Sequence, residues 1–125
     1  MTLHRSIRSG IAVLTAGALA GCAGGPIPGR LTVPGKPPMQ VTLTYTSSLF
    51  GGSGKLSTLL PDGESYTGKY VLTPYSPDHM VANLTGDRGG SMVCRFKLNE
   101  PGVGPDGGGA GRCEVSEGSV IEVKF

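Results

Sequence analysis

The seven residues 41–47, VTLTYTS, alternate apolar and hydroxyl-bearing side chains with a period of two. Val41, Leu43 and Tyr45 fall on one face of an extended chain, and the threonines between them fall on the other. This alternation, built from residues that favour extended backbone, predicts a strand with one buried face and one exposed face. A strand of this kind needs neighbouring strands that repeat the same period.

Six further segments beyond residue 40 have a strand-like composition. They are residues 55–60, 65–73, 81–85, 91–98, 111–116 and 120–125. Proline, aspartate and glycine mark turns between them, at residues 61–63, at Pro74 with 77–78, at 86–90 and at 117–118. No window in this part of the sequence carries a helical apolar stripe. The predicted fold class is therefore all-β, a small antiparallel meander of about seven strands that closes into a barrel or a sandwich.

The N-terminal residues have the order of charged and apolar residues that is typical of an export signal. His4, Arg5 and Arg8 precede an apolar stretch at 11–20. Ten residues match the core of a signal peptide and are about half of what a helix needs to cross a bilayer. The sequence Leu-Ala-Gly-Cys at 19–22 resembles the lipobox of bacterial lipoprotein precursors.

The lipobox resemblance implies that residues 1–21 are removed and that Cys22 becomes the first residue of the mature chain. The sulfur of Cys22 would carry diacylglyceryl, and a third acyl chain, usually palmitate, would cap the new N-terminus. Two or more acyl chains give stable membrane anchoring. Ala23 stands where an aspartate would favour retention at the inner membrane, so by analogy with proteobacterial lipoproteins we expect the outer membrane.

Removing the leader changes the charge balance of the chain. Of the 11 Lys and Arg residues, Arg5 and Arg8 leave, so nine remain against nine Asp and Glu. The mature chain is formally neutral. It lacks an overall basic field of the kind that condenses onto nucleic acid or anionic lipid, so we expect no nucleic acid as a partner. The expected partners are membrane lipid, through acylated Cys22, and an envelope protein or peptidoglycan.

Residues 23–40, AGGPIPGRLTVPGKPPMQ, contain five prolines and four glycines and show no periodic apolar pattern. This composition predicts a tether over 22–40 that leads to a β-domain over 41–125. A proline-rich ligand for a partner's aromatic groove is the functional alternative.

The two cysteines of the predicted β-domain fall on the apolar faces of their strands. Cys94 lies in 91–98 and Cys113 lies in 111–116, with the glycine-rich loop 100–110 between them. In this register the two side chains meet in the core, and export places them in an oxidising compartment. We therefore predict a Cys94–Cys113 disulfide, whereas a metal pair is disfavoured because the mature chain has a single histidine.

Residues that could carry catalysis are few, and we predict no enzyme, no catalytic residue, no metal and no cofactor. His79 is the only histidine after the leader, and it lies near Ser76 and Asp78 in a stretch that we expect to be a loop. A catalytic triad needs a rigid support and an oxyanion hole, which this stretch does not indicate. The loop 100–110 lacks the Gly-Lys-Ser/Thr of a phosphate-binding loop and holds a single aspartate, so it predicts a flexible loop closed by the disulfide.

Residues 52–70, GSGKLSTLLPDGESYTGKY, resemble a MORN repeat, a β-hairpin unit with glycines and aromatic residues at fixed positions. Residues 109–125 match only the opening Gly-x-Gly and the turn glycine of that pattern, so the resemblance implies two similar hairpins in one domain. The segment 94–113 also resembles the C-x-F…G-x-G-x-C segment of small proteobacterial lipoproteins. Neither resemblance implies an activity.

The functional expectation is a membrane-anchored, non-catalytic envelope lipoprotein that binds or stabilises another envelope component. One alternative is a lysozyme-inhibitor-like lipoprotein that inserts a loop into a muramidase, either the loop between Cys94 and Cys113 or the turn at 51–54. A second alternative is binding to the cell-wall polymer.

Overall fold

The computed structural model describes residues 24–47, 53–73 and 76–125, which form a closed antiparallel barrel in meander order. Its strands are β1 (Gly24–Thr32), β2 (Met39–Ser47), β3 (Ser53–Leu59), β4 (Ser65–Thr73), β5 (Ser76–Gly86), β6 (Ser91–Leu98), β7 (Gly109–Val115) and β8 (Val120–Lys124). The all-β prediction is confirmed, with eight strands instead of about seven. Cys22 lies outside the described residues. Within these ranges no helix has the length and apolar character needed to span a bilayer.

Strand β1 lies in the stretch predicted as a tether, so that prediction is wrong for this part of the chain. β1 pairs with β2 along most of its length and with β8 from Gly29 onward. Ile27 and Leu31 are buried in the core. Pro26 and Pro28 are tolerated because they lie in the half of β1 that pairs with β2 alone. The N–H group that proline lacks is not needed there for hydrogen bonds to a second strand.

The remaining strands agree with the predicted segments, except that β2, β3, β5 and β7 begin earlier in the chain. β5 begins at Ser76, so the predicted turn at 77–78 is part of a strand. This strand pairs with β4 and with β6, and a register irregularity between Leu72 and Thr73 adjusts the pairing at this end. Pro77 and Asp78 themselves have no partner in either pairing, so the turn preference of these two residues is accommodated as a bulge within the strand.

The barrel interior is filled by side chains. If directly opposite residues are followed from each strand to the next, the path returns to β1 after one full turn of the barrel. It arrives eight residues away from the residue at which it began. Eight strands with this displacement tilt by about 36° and enclose a space that side chains fill. Twenty apolar side chains are buried there. Candidate sites therefore lie on the outer surface or at the two barrel ends.

The two ends of the barrel differ in their connections. We call the end at which β1 begins, at Gly24, the proximal end; the loop 99–108 between β6 and β7 is also there. The opposite, distal end carries four short hairpin turns. Each of these turns holds one glycine with a positive φ, a backbone conformation that other residues rarely adopt: Gly35, Gly63, Gly89 and Gly118.

The predicted disulfide is confirmed. Cys94 on β6 and Cys113 on β7 are directly opposite each other and are bonded through their sulfurs, and both are fully buried. A bond that closes a loop of this length stabilises the fold by about 3 kcal/mol in the chain-entropy model. The disulfide lies near the middle of the barrel, about halfway between the two ends.

Four aromatic rings form one layer inside the barrel near the proximal end, and all four come from β2, β4, β6 or the residue after β8. Each ring lies over a glycine of a neighbouring strand, and at Gly54, Gly109 and Gly111 an added Cβ would be too close to backbone or ring atoms. The pairs are Tyr45 over Gly25, Tyr70 over Gly54, Phe96 over Gly111 and Phe125 over Gly109. The rings of Phe96 and Phe125 meet edge to face, with centroids 6.2 Å apart. This aromatic layer explains why glycine is required at residues 54, 109 and 111.

Candidate functional site

The loop predicted to be flexible folds across the proximal end as a cap. It contains a 3₁₀ turn, Gly104–Gly107, and Gly104 and Pro105 are buried. The Tyr45 hydroxyl, on the far side of the barrel, donates a hydrogen bond of 2.5 Å to Asp106. Burial, reinforced by this bond to a carboxylate, raises the pKa of Tyr45 above its usual range.

The candidate catalytic histidine lies on a strand and not in a loop. His79 is on the outer face of β5, with its side chain 53% exposed, and its Nδ1 atom is 3.0 Å from the Asp78 carboxylate. Among the described hydrogen bonds, none joins the imidazole to a serine hydroxyl. Groups of three or more Cys, His, Asp and Glu residues that could hold a metal ion do not occur among the described residues.

A cavity of about 340 Å³ opens at the distal end of the barrel, between three of the four hairpin turns. Its floor is apolar and its rim is charged. We call it the distal cavity, and it is lined by Leu31, Val33, Lys36, Met39, Leu60, Pro61, Asp62 and Glu117. Its volume falls at the lower end of the range for sites that enclose small molecules or single side chains.

The carboxylates on the rim of the distal cavity are held in place by their own turns. One oxygen of Asp62 accepts the Glu64 amide at 2.8 Å, and one oxygen of Glu117 accepts the Ser119 amide at 3.0 Å. In the described hydrogen bonds the second oxygen of each carboxylate accepts nothing. The rim therefore offers two fixed acceptor groups next to an apolar floor, an arrangement that suits a cationic group attached to an apolar side chain.

A buried carboxylate locks two of the distal turns together. Glu64, only 8% exposed, accepts hydrogen bonds from the amides of Arg88 and Gly90 at 3.0 and 2.8 Å and from the Tyr66 hydroxyl at 3.1 Å. Gly86 and Gly90 leave the space that this carboxylate occupies. We call these groups the Glu64 network. It keeps the wall of the distal end in one arrangement.

The Glu64 network predicts a loss of stability in alkali. Burial, followed by the hydrogen bond to Glu64, raises the pKa of Tyr66 to about 12 from 10. Between these values the unfolded chain loses the proton while the folded chain keeps it, so the free energy of unfolding falls as pH rises. We expect a loss of about 2 kcal/mol between pH 10 and pH 12, measured by urea unfolding.

Tyr66→Phe is the control for this pH dependence. It removes the ionisable hydroxyl while keeping the ring, and all other alkaline titrations are common to both proteins. The variant should be less stable at neutral pH, and its stability should fall less steeply above pH 10. Equal slopes for the two proteins would contradict the role assigned to Tyr66.

The sequence did not point to the distal cavity because half of its lining comes from the segment predicted as a tether. Leu31, Val33, Lys36 and Met39 all lie in that segment. The alternation of Ile27, Gly29 and Leu31 was the signal that could have revealed it. At Asp62 and Glu117 the sequence indicates turns and nothing about a cavity.

The fold and the cavity define a small closed β-barrel with a cavity at one mouth. No family model, curated protein or solved structure matches this chain. Its function must therefore be argued from the geometry of the molecule.

Proposed function

We propose that this chain is a lipid-anchored, non-catalytic envelope protein that binds another envelope protein through its distal end. The observation that carries the proposal is the opposition of the two ends: β1 begins at Gly24 at the proximal end, two residues after Cys22, and the distal cavity opens at the other end. Acyl chains on Cys22 would leave the cavity facing away from the bilayer. The lipobox resemblance supports the anchor, and Ala23 supports the outer membrane of a two-membrane cell.

The chemistry of the distal cavity favours a protein partner. An apolar floor beside two carboxylates would accept an apolar side chain that is adjacent to a lysine or arginine. The peptide stems of the cell-wall polymer themselves carry carboxylates, which the rim would repel. Binding to the wall polymer is therefore the second candidate function, and the crosslinking experiment below distinguishes it from binding to a protein.

The orientation argues against the muramidase-inhibitor alternative. The loop between β6 and β7 crosses the proximal end, and Gly54 of the predicted turn belongs to β3 at the same end. The first two residues of that turn, 51 and 52, lie outside the described residues. If Cys22 is anchored, both candidate loops face the bilayer and are poorly placed to enter the cleft of an enzyme.

The anchor is tested by Cys22→Ser in the full chain. This variant should move from the membrane fraction to the soluble fraction after a salt wash, because the acylated sulfur is lost. Ala23→Ser, which leaves the cysteine in place, should stay with the membrane. If the Cys22→Ser protein also stays there, the lipid anchor is wrong.

The partner is tested by placing a photocrosslinking residue at Lys36, on the rim of the distal cavity, in cells that make the lipidated protein. Asn83 on the outer face of β5 is the matched control, because it is exposed but distant from the cavity. We expect one discrete protein adduct from position 36 and none from position 83. Adducts with glycan would support the wall polymer instead, and equal labelling from both positions would contradict a distal binding site.

A further inference from the structure

We propose that the proximal end of the barrel docks on the surface of a bilayer that contains anionic phospholipid, so that the barrel stands upright on its anchor. This inference rests on the proposed lipid anchor and adds the orientation of the barrel and the class of lipid. It is carried by the distribution of charge, by the pairing of like charges and by the position of Gly24.

The charges of the barrel are divided between its two ends. On the proximal side of the disulfide the described residues include six basic and four acidic side chains, and on the distal side three basic and five acidic ones. The proximal basic residues are Lys55, Lys69, Arg95, Lys97, Arg112 and Lys124. A chain that is neutral overall therefore has a positive end and a negative end, and an anionic surface attracts the former and repels the latter.

Two pairs of like charges face each other on the outer surface of the proximal half. Lys55 is directly opposite Lys69 on β3 and β4, and Arg95 is directly opposite Arg112 on β6 and β7. Like charges in this position destabilise a sheet unless an anion lies nearby. In the described part of the chain no lysine forms an ion pair, and Arg112 alone reaches carboxylates, at 3.7 and 3.8 Å. Phosphate groups of lipid would compensate the Lys55–Lys69 pair, which has no carboxylate partner among the described ion pairs.

The position of Gly24 brings these charges close to the membrane. Gly24 is two positions after Cys22, a span of about 7 Å at most. Lys55 and Lys97 lie within three residues of the proximal ends of their strands. Their side chains would thus reach the headgroups within a Debye length of about 8 Å. Val103, on the cap over the same end, is 54% exposed and adds an apolar contact.

The orientation is measured on the full-length lipidated protein in vesicles of phosphatidylcholine, alone or mixed with phosphatidylglycerol. A fluorophore is attached to a cysteine introduced at Thr46, near the proximal end, or at Gln40, near the distal end; both positions are exposed. A quencher on the lipid headgroups reports the distance to the surface. We expect phosphatidylglycerol to increase quenching at position 46 relative to position 40, and high salt to reverse the increase.

A matched pair of variants separates local from overall charge. K55Q/K69Q removes two positive charges from the proximal end, and R30Q/K36Q removes the same number from the distal end. Each basic residue near an anionic surface favours the docked state by about fivefold, which corresponds to about 1 kcal/mol. K55Q/K69Q should therefore lose most of the response to phosphatidylglycerol, whereas R30Q/K36Q should keep it.

The outcomes distinguish the docking proposal from the anchor on which it rests. Protein that floats with both kinds of vesicle but shows the same quenching in each would overturn docking and leave the anchor intact. Equal loss of response in the two variants would also overturn docking, because the net charge of the protein alone would then explain the response to phosphatidylglycerol. Protein that does not float with either kind of vesicle would overturn the anchor and the docking proposal together.

Discussion

Gly54→Ala is expected to destabilise the barrel by about 3 kcal/mol, an unusually large effect for the addition of one methyl group. The added carbon would lie 2.1 Å from the carbonyl oxygen of Thr46 and 2.5 Å from the Tyr70 ring. The carbonyl belongs to the paired strand β2 and the ring to the aromatic layer, so neither can move without disturbing its neighbours. Urea unfolding of the full chain measures the change.

Gly102→Ala is the matched control for this substitution. Gly102 lies in the cap over the proximal end, and an added methyl group there would meet no atom within 4 Å. Its stability should remain within about 0.5 kcal/mol of the parent protein. If Gly54→Ala were as stable as Gly102→Ala, the packing of Tyr70 over Gly54 would be wrong.

Glu64→Ala is expected to cost about 3 kcal/mol as well, through lost hydrogen bonds and not through crowding. The substitution leaves the part-buried amides of Arg88 and Gly90 and the buried hydroxyl of Tyr66 without their acceptor. Each unsatisfied buried group costs about 1 to 3 kcal/mol, reduced where water can enter the space. Urea unfolding at neutral pH gives the loss.

Two further variants identify the cause of that loss. Glu64→Gln keeps one acceptor oxygen at nearly the same volume, so its loss should be smaller than that of Glu64→Ala. Glu117→Ala removes an exposed carboxylate from another distal turn and should have a smaller effect. Losses of equal size for Glu64→Ala and Glu117→Ala would show that the Glu64 network contributes no more than an ordinary turn.

Much of the fold could be predicted from the sequence because period-two patterns are local. The alternation in β2 and β6 identified the buried face, and the same alternation placed Cys94 and Cys113 in a register that allows them to bond. β1 was not predicted as a strand because its prolines and glycines are typical of a linker. Its burial depends on pairing with β2 and with β8, and β8 lies at the far end of the chain.

The candidate site could not be predicted because its parts come from three separate turns. Leu31, Leu60 and Glu117 are far apart in the sequence and meet only when the barrel closes. The separation of charge between the two ends also depends on the tertiary structure. Alternate strands run in opposite directions, so the direction of each strand decides the end at which a charged residue lies. Lys55 and Lys97 fall at one end of the barrel only because β3 begins there and β6 ends there.

The sequence by itself determined the all-β class, seven of the eight strands, most of the turns and the disulfide, because each depends on short-range periodicity or on turn residues. It also supplied the lipobox resemblance, on which the proposed anchor depends. Only the tertiary structure decided that the sheet closes and that the glycines pack beneath aromatic rings. It also placed the distal cavity and the positively charged end at opposite ends of the barrel. These features depend on strand register around the whole ring, which no single segment of the chain contains.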